Sequence, residues 1–259
     1  MTPGLGEQIR TLARRSVVRT SRQPASVVFP LVFPLLLLAV NAGGLDAATR
    51  LPGFPTNSFV AFALAIPFIQ GALFATMNAG TDLAHDIQTG FLNRLSLTPM
   101  RGVALLAGQL GGVVTMGLVQ AVVYLVVGLA VGVRLASGPA GAVVLLAFAV
   151  LVVIGFGALG AFAALRTGSG EAVQSLFPVF FVFLFISSMN MPRNLIETDW
   201  FRAVATVNPV SYLIECIRSL IITGWNGEAL ALGFGIALVV DIVGLMLATV
   251  ALRTRLARS

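Results

Sequence analysis

Three titratable side chains lie together in an otherwise apolar chain: Asp82, His85 and Asp86, within the polar stretch TDLAHDIQTGFLNRLSLTPMR that runs from Thr81 to Arg101. A histidine with carboxylates for neighbours is the arrangement that orients an imidazole for general-base work. That chemistry also needs a nucleophile or an acid partner, and the remaining acids are scattered among loops. No catalytic constellation is assembled. The other isolated acid is Asp241, in the last apolar run, where an aspartate serves either a proton or substrate site or an interhelical hydrogen bond.

The basic residues exclude more than they supply. All 16 are arginine, and the chain has no lysine. A P-loop needs a lysine to reach the nucleotide phosphates, so ATP hydrolysis is not expected in this chain. Lysine Schiff-base chemistry is excluded too. One histidine and one cysteine, Cys216, leave no intrachain disulfide and no expected His/Cys metal site. Cys216 reads as a small apolar filler.

The elements that must carry these residues are membrane spans. Hydrophobic residues make up 58% of the chain, charged residues only 10%, and mean hydropathy is +0.97. A soluble domain carries roughly 25% charged residues, so the expected class is an all-α polytopic membrane protein, a single domain over 1–259. Six runs are long enough to span: 24–44, 58–80, 103–132, 140–165, 172–188 and 229–252. The first is full length and lacks a persuasive cleavage site, so it reads as a retained span.

Arginine placement orients the set. With the N-terminus inside, eleven arginines lie on the cytoplasmic side and five (Arg50, Arg134, Arg193, Arg202 and Arg218) outside. The positive-inside rule therefore places both termini in the cytoplasm, and the expected location is a bacterial cell membrane. The net charge of +6 reflects these flanking arginines, and nucleic acid is not an expected partner. Residues 7–22 read as an interfacial helix, with Ile9, Leu12, Ala13 and Val17 on one side and Arg10, Arg14 and Arg15 on the other. Residues 190–228 read as an external re-entrant pair. A seventh span at 203–224 would carry Asn208-Pro209, Glu215 and Arg218, and would put the C-terminal arginines outside.

Several spans carry patterned residues. Gly233, Ala237, Asp241, Gly244 and Ala248 form one small-residue stripe, which turns Asp241 toward protein. Gln109, Met116 and Gln120 share a face of the third span, where Gly108/Gly112 and Gly128/Gly132 allow close packing. Pro30, Pro34, Pro67 and Pro178 predict kinks. Phe177, Phe180, Phe181 and Leu184 form an aromatic face ending at Ser187, Ser188 and Asn190, a candidate lining for an amphiphile's route as well as an ordinary packing surface.

The polar stretch at 81–101 has the form of a docking element. Thr81 is placed to cap a helix beginning at Asp82, Gly90 to end or kink it, and Pro99 to stop a second piece. Phe91, Leu92 and Leu95 give that piece an apolar edge. The pattern around Asp86, Thr89-Gly90-Phe91-Leu92, Arg94-Leu95, Thr98-Pro99 and Arg101 resembles the cytoplasmic loop of ABC-2 type transport permeases. Arg166-Thr-Gly-Ser, Glu171-Ala-Val-Gln, Phe177-Pro178, Ser187-Ser188, Asn208-Pro209-Val-Ser-Tyr212 and Ile217-Arg218-Ser-Leu220 follow in the same order. The resemblance covers most of the chain and is nearest to the daunorubicin-resistance-type drug exporters. Ile196-Glu-Thr-Asp-Trp200 departs from that branch's proline-containing segment.

The resemblance implies a permease homodimer working with separately encoded ATPase subunits that hold the ATP and Mg. The cargo would be drug-like or lipid-like, as in multidrug efflux and antibiotic resistance. It also implies that Asp82, Asp86, Phe91, Leu92 and Arg94 couple the permease to the ATPase and that 190–228 helps form the exit gate, while the aromatic face itself makes Phe177, Phe180, Phe181 and Ser188 the candidates for the substrate path. The competing class is an ion- or proton-coupled carrier using Asp241. The six-span topology has a direct check: a cysteine placed near Arg255 should stay unlabelled by an impermeant thiol reagent in intact cells, and labelling would overturn it.

Overall fold

The computed structural model describes residues 4–96 and 102–257, and these are helical with no strand among them. In chain order the helices are α1 (Leu5–Ser21), α2 (Pro24–Leu45), α3 (Phe59–Ala63), α4 (Ala65–Gln88), α5 (Phe91–Ser96) and α6 (Gly102–Ala130). There follow α7 (Gly138–Thr167), α8 (Gly170–Gln174), α9 (Leu176–Phe185), α10 (Asp199–Val207), α11 (Pro209–Arg218) and α12 (Gly227–Leu256). A π turn, Ser219–Thr223, closes α11. Five helical segments are long and apolar enough to cross a bilayer: Ser26–Arg50, Phe59–Gln88, Gly102–Ala130, Gly138–Thr167 and Gly227–Leu256. They match the expected spans except the fifth.

That fifth span, expected over 172–188, is shorter and broken. It consists of α8 and α9 with a break at Ser175, and together they cover Gly170–Phe185. Sixteen residues rising 1.5 Å each reach roughly 24 Å, short of the ~30 Å hydrocarbon core. The segment that brings the number of spans to six by length is instead α10 with α11 and its π turn, a pair bent by 80°.

The prolines explain the breaks. Pro67 and Pro178 are each the third residue of their helix, just after the interruptions at Leu64 and Ser175. A proline ring removes one amide donor and collides with the carbonyl four residues back, which ends the preceding helix there. Pro30 and Pro34 behave differently, because α2 runs continuously through both. Each frees a carbonyl four residues earlier, and each freed carbonyl is taken by a neighbouring helix. Asn78 Nδ2 of α4 donates to Ser26 O at 3.3 Å. Tyr124 Oη of α6, buried at 1% exposure, donates to Pro30 O at 2.5 Å.

Helix α7 is the hub, and three of its glycines set how close its neighbours come. A Cβ on Gly160 would lie 2.1 Å from Thr76 O of α4, and one on Gly155 would lie 2.4 Å from Asp241 Oδ1 of α12. One on Gly157 would sit 3.2 Å from Val113 of α6. The stripe expected on the last span is likewise buried, with Gly233 meeting Cys216 and Gly244 meeting Gly155 O. The Gly108/Gly112 pair has an unforeseen partner: these glycines receive Leu12 and Ser16 of α1.

The Tyr124 hydrogen bond is directly testable. Tyr124→Phe keeps the ring that packs edge-on against Phe68 and removes only the donor to Pro30 O. Leaving a buried carbonyl unpaired should cost about 1–3 kcal/mol, read as a lower unfolding midpoint in detergent. An unchanged midpoint would show that α2 does not depend on that bond.

Candidate functional site

The polar element of the sequence is built differently from the expectation. α4 continues without interruption through Thr81 to Gln88, so Thr81 caps nothing. Its hydroxyl donates back along the helix to Met77 O at 2.7 Å. The chain turns only at Gly90, whose φ of +68° is a conformation glycine adopts at no steric cost, and α5 follows. Thr98, Pro99 and Arg101, and with them the end of the expected 81–101 loop, lie outside the described residues.

Asp82 and Asp86 face inward, toward α1. Arg15 grips Asp86 with two parallel hydrogen bonds, Nη1 to Oδ2 at 2.9 Å and Nη2 to Oδ1 at 2.8 Å. Arg19 joins it from one turn further on, reaching Asp86 Oδ1 at 2.9 Å and Asp82 Oδ1 at 3.3 Å. Asp86 is only 4% exposed. A bidentate guanidinium–carboxylate pair is among the stronger and more directional contacts available to a folded chain. The hydrogen bond to Asp86 raises the proton affinity of the Arg15 guanidinium, against the opposing effect of its partial burial. Arg15 also lies 3.8 Å from the ring centroid of Phe91, so one arginine holds α1, α4 and α5 together.

The expected coupling residues therefore divide into two sets. Asp82 and Asp86 form the latch. Leu92, 1% exposed, plugs α5 into an apolar core supplied by Leu83, Leu106, Leu165 and Leu252 of α4, α6, α7 and α12. Gln109 borders the same junction, in a void of about 10 Å³ shared with Arg15 and Asp86. Only Arg94 points outward, its Nη2 donating to Thr89 O at 3.4 Å. The side of α1 that packs on α6 combines Leu12 and Ala13 of the face read from the sequence with Ser16, while Gln8 and Thr20 are buried as well.

The other candidates are scattered. The rings of Phe177 and Phe181 pack tilted against each other with centroids 4.4 Å apart, and the contacts continue to Phe74 of α4 and Phe33 of α2. Phe180 turns away to Phe156 of α7. Ser188 belongs to the opposite end of the molecule, fully buried, with its amide on Ser211 Oγ at 3.1 Å. Gln120 is buried beside Gly71 and Tyr124, and Asp241 is sealed between α12 and Gly155 at 6% exposure.

Comparison with known proteins assigns this architecture. Residues 7–222 match the family model described as ABC-2 type transporter. The chain belongs to that family. It is 31% identical over 202 residues to the daunorubicin resistance ABC transporter permease protein DrrB1 of Streptomyces coeruleorubidus, covering 75% of this chain and 66% of that protein. It is 26% identical over 268 residues to the putative transport permease ycf38 of Porphyra purpurea, covering 96% and 90% respectively. A ycf38 permease from Pyropia yezoensis is 27% identical over 227 residues, covering 85% of this chain. As an ABC-2 permease the chain is a transporter membrane subunit, not itself an enzyme.

One residue that sequence reading left in a loop motif proves central at the other end. Arg218 is 7% exposed, and it donates to Phe62 O at 3.1 Å, Ser188 O at 3.1 Å and Met189 O at 2.9 Å. The only sequence signal was an arginine inside an apolar stretch.

The latch admits a double-mutant test. Arg15→Ala and Asp86→Ala should each lower the unfolding midpoint, while the double variant loses less than the sum. The coupling expected for a partly buried bidentate pair is about 1–3 kcal/mol. Strict additivity would mean that the two side chains do not interact.

Proposed function

We propose that this ABC-2 permease is the membrane-spanning subunit of an ATP-driven exporter that moves a hydrophobic or amphiphilic substrate outward, with ATP bound and hydrolysed by a separate ATPase chain. The observation that carries this reading is the anchoring of α5. Leu92 seats this short helix in a core shared by four long helices, while Arg15 ties it to α1 and the end of α4. A force applied to α5 from outside the bilayer would reach α4, α6, α7 and α12 together. Packed interiors transmit strain because they are close to incompressible.

In this reading the partner surface is the outward rim of α5 with Arg94, flanked by the exposed Arg10 and Arg14 of α1. The aspartates hold that surface in place and do not touch the partner. A substrate route along Phe177 and Phe181 fits an aromatic seam that continues onto α2 through Phe33 and Phe29. There an apolar groove of about 490 Å³ lies open between Pro24 and Leu36. The relatives include a daunorubicin resistance permease, which agrees with a drug-like or lipid-like cargo. We propose further that the working unit is a permease dimer with cytoplasmic termini in the cell membrane. Asp241, the acid a proton-coupled carrier would use, lines neither that groove nor the void beneath the latch.

The experiment is co-expression with candidate ABC ATPase subunits from the same genome. The ATPase should co-purify with this chain, and Arg94→Glu should weaken its capture about tenfold and lower transport-coupled hydrolysis, with membrane insertion unchanged. No co-purifying ATPase, or identical coupling in Arg94→Glu, would refute the assignment.

A further inference from the structure

At the end of the molecule away from the latch, a cleft of about 470 Å³ opens beside Arg218. Phe62 and Asp82 lie twenty residues apart along α3 and α4, so cleft and latch are separated by roughly 30 Å of helix. The walls of the cleft have two characters. Phe62, Pro55 and Ile222 are apolar, while Arg193, Glu215 and Arg218 bring charge.

The charges do not cancel. Glu215 is engaged by Arg193 at 2.5 Å, and Arg193 also lies 4.5 Å from the Tyr212 ring centroid. Arg218 has no carboxylate among its hydrogen-bond partners: its three bonds go to the carbonyls of Phe62, Ser188 and Met189, and the Phe62 ring lies 3.5 Å from its guanidinium carbon. A guanidinium carries five N–H donors, so two remain after the three carbonyls are served. Carbonyl dipoles and a ring face soften the desolvation of a buried cation, but they do not neutralise it. The cleft is left with one uncompensated positive charge and two unused donors.

We propose that this cleft binds the oxyanion head group, phosphate or carboxylate, of a membrane amphiphile. The head group accepts from the free Arg218 donors and the tail lies along the Pro55 and Ile222 wall. A planar guanidinium with one donor left on each terminal nitrogen suits an oxyanion better than a neutral polar head group. The apolar wall favours an amphiphile over a free ion. Asn226 lines the polar side of the cleft and caps α12, its Oδ1 accepting from Ala229 N at 3.1 Å. The site is a binding site of this chain alone, so it stands or falls independently of the ATPase partner.

The test uses the purified full chain in digalactosyldiacylglycerol nanodiscs, whose lipid head group carries no oxyanion, titrated with dodecyl phosphate, dodecyl maltoside and inorganic phosphate. Dodecyl phosphate should bind most tightly. Arg218→Gln should abolish the preference, yet it also releases three carbonyls and risks the fold. Asn226→Asp avoids that risk, because aspartate caps a helix as well as asparagine while adding a negative charge to the cleft. It should weaken dodecyl phosphate about tenfold, whereas the neutral cap Asn226→Ser should leave affinity unchanged. Equal affinity for dodecyl phosphate and dodecyl maltoside, or no effect of Asn226→Asp, would overturn the site. Inorganic phosphate binding as tightly as dodecyl phosphate would overturn the amphiphile assignment.

Discussion

In the hydrocarbon core of a bilayer no water is available to hydrogen-bond a backbone carbonyl, so every carbonyl released by a proline or a helix break must find a donor within the protein. Much of this fold follows from that constraint. Pro30 and Pro34 release Ser26 O and Pro30 O, and the donors come from Asn78 and Tyr124 on two other helices. The break between α3 and α4 leaves Phe62 O to Arg218, and the turn after α9 leaves Ser188 O and Met189 O to the same guanidinium. The π turn after α11 is served from the α6–α7 connection, where Ser137 Oγ donates to Leu220 O at 2.7 Å. Each irregularity in one helix is thereby fixed to a neighbour. The breaks act as joints with specified partners.

Close packing supplies the second constraint. Lipid tails are as apolar as leucine, so spans gain little from burying apolar surface against one another, and association depends on near contact and on polar bonds between helices. The three glycines of α7 meet α4, α6 and α12 at distances that no side chain would permit at Gly155 or Gly160. Asp241 fits the same logic. Its carboxylate occupies the space that a Cβ on Gly155 would fill, in the most closely packed part of the α7–α12 seam.

The sequence made some of this legible and concealed the rest for definable reasons. Long apolar runs located five of the six expected spans, because bilayer thickness imposes a length that composition reveals, though α4 runs eight residues past the expected end at 80 because its last turns are polar. The stripe through Asp241 was legible because a period of 3.6 places Gly233, Ala237, Gly244 and Ala248 on one line. The segment 172–188 passed the length test only because Ile186 to Ser188 extend its apolar run, whereas the helix itself ends at Phe185. The latch was not legible. Arg15 and Asp86 are 71 positions apart, and acids in a polar stretch look alike whether they face solvent or a buried arginine. On α1 the apolar pattern named Leu12 and Ala13, which do meet glycines of α6, but periodicity alone did not show that Ser16 would pack beside them.

The two arginine assemblies differ in a way that bears on motion. At the latch, two guanidiniums and two carboxylates neutralise one another, with Arg15 partly exposed and Asp86 buried. At Arg218 the cation is held by backbone carbonyls from α3 and from the turn after α9, and releasing it would leave three acceptors and a buried charge unsatisfied. The latch is a charge-balanced contact between side chains of three helices, while the Arg218 end holds α3, α11 and the 188–189 turn as one body. A permease worked from the latch end would transmit movement along α4, whose two ends are fastened by unequal clamps. Displacement would be taken up at the break near Leu64 before the Arg218 assembly is disturbed.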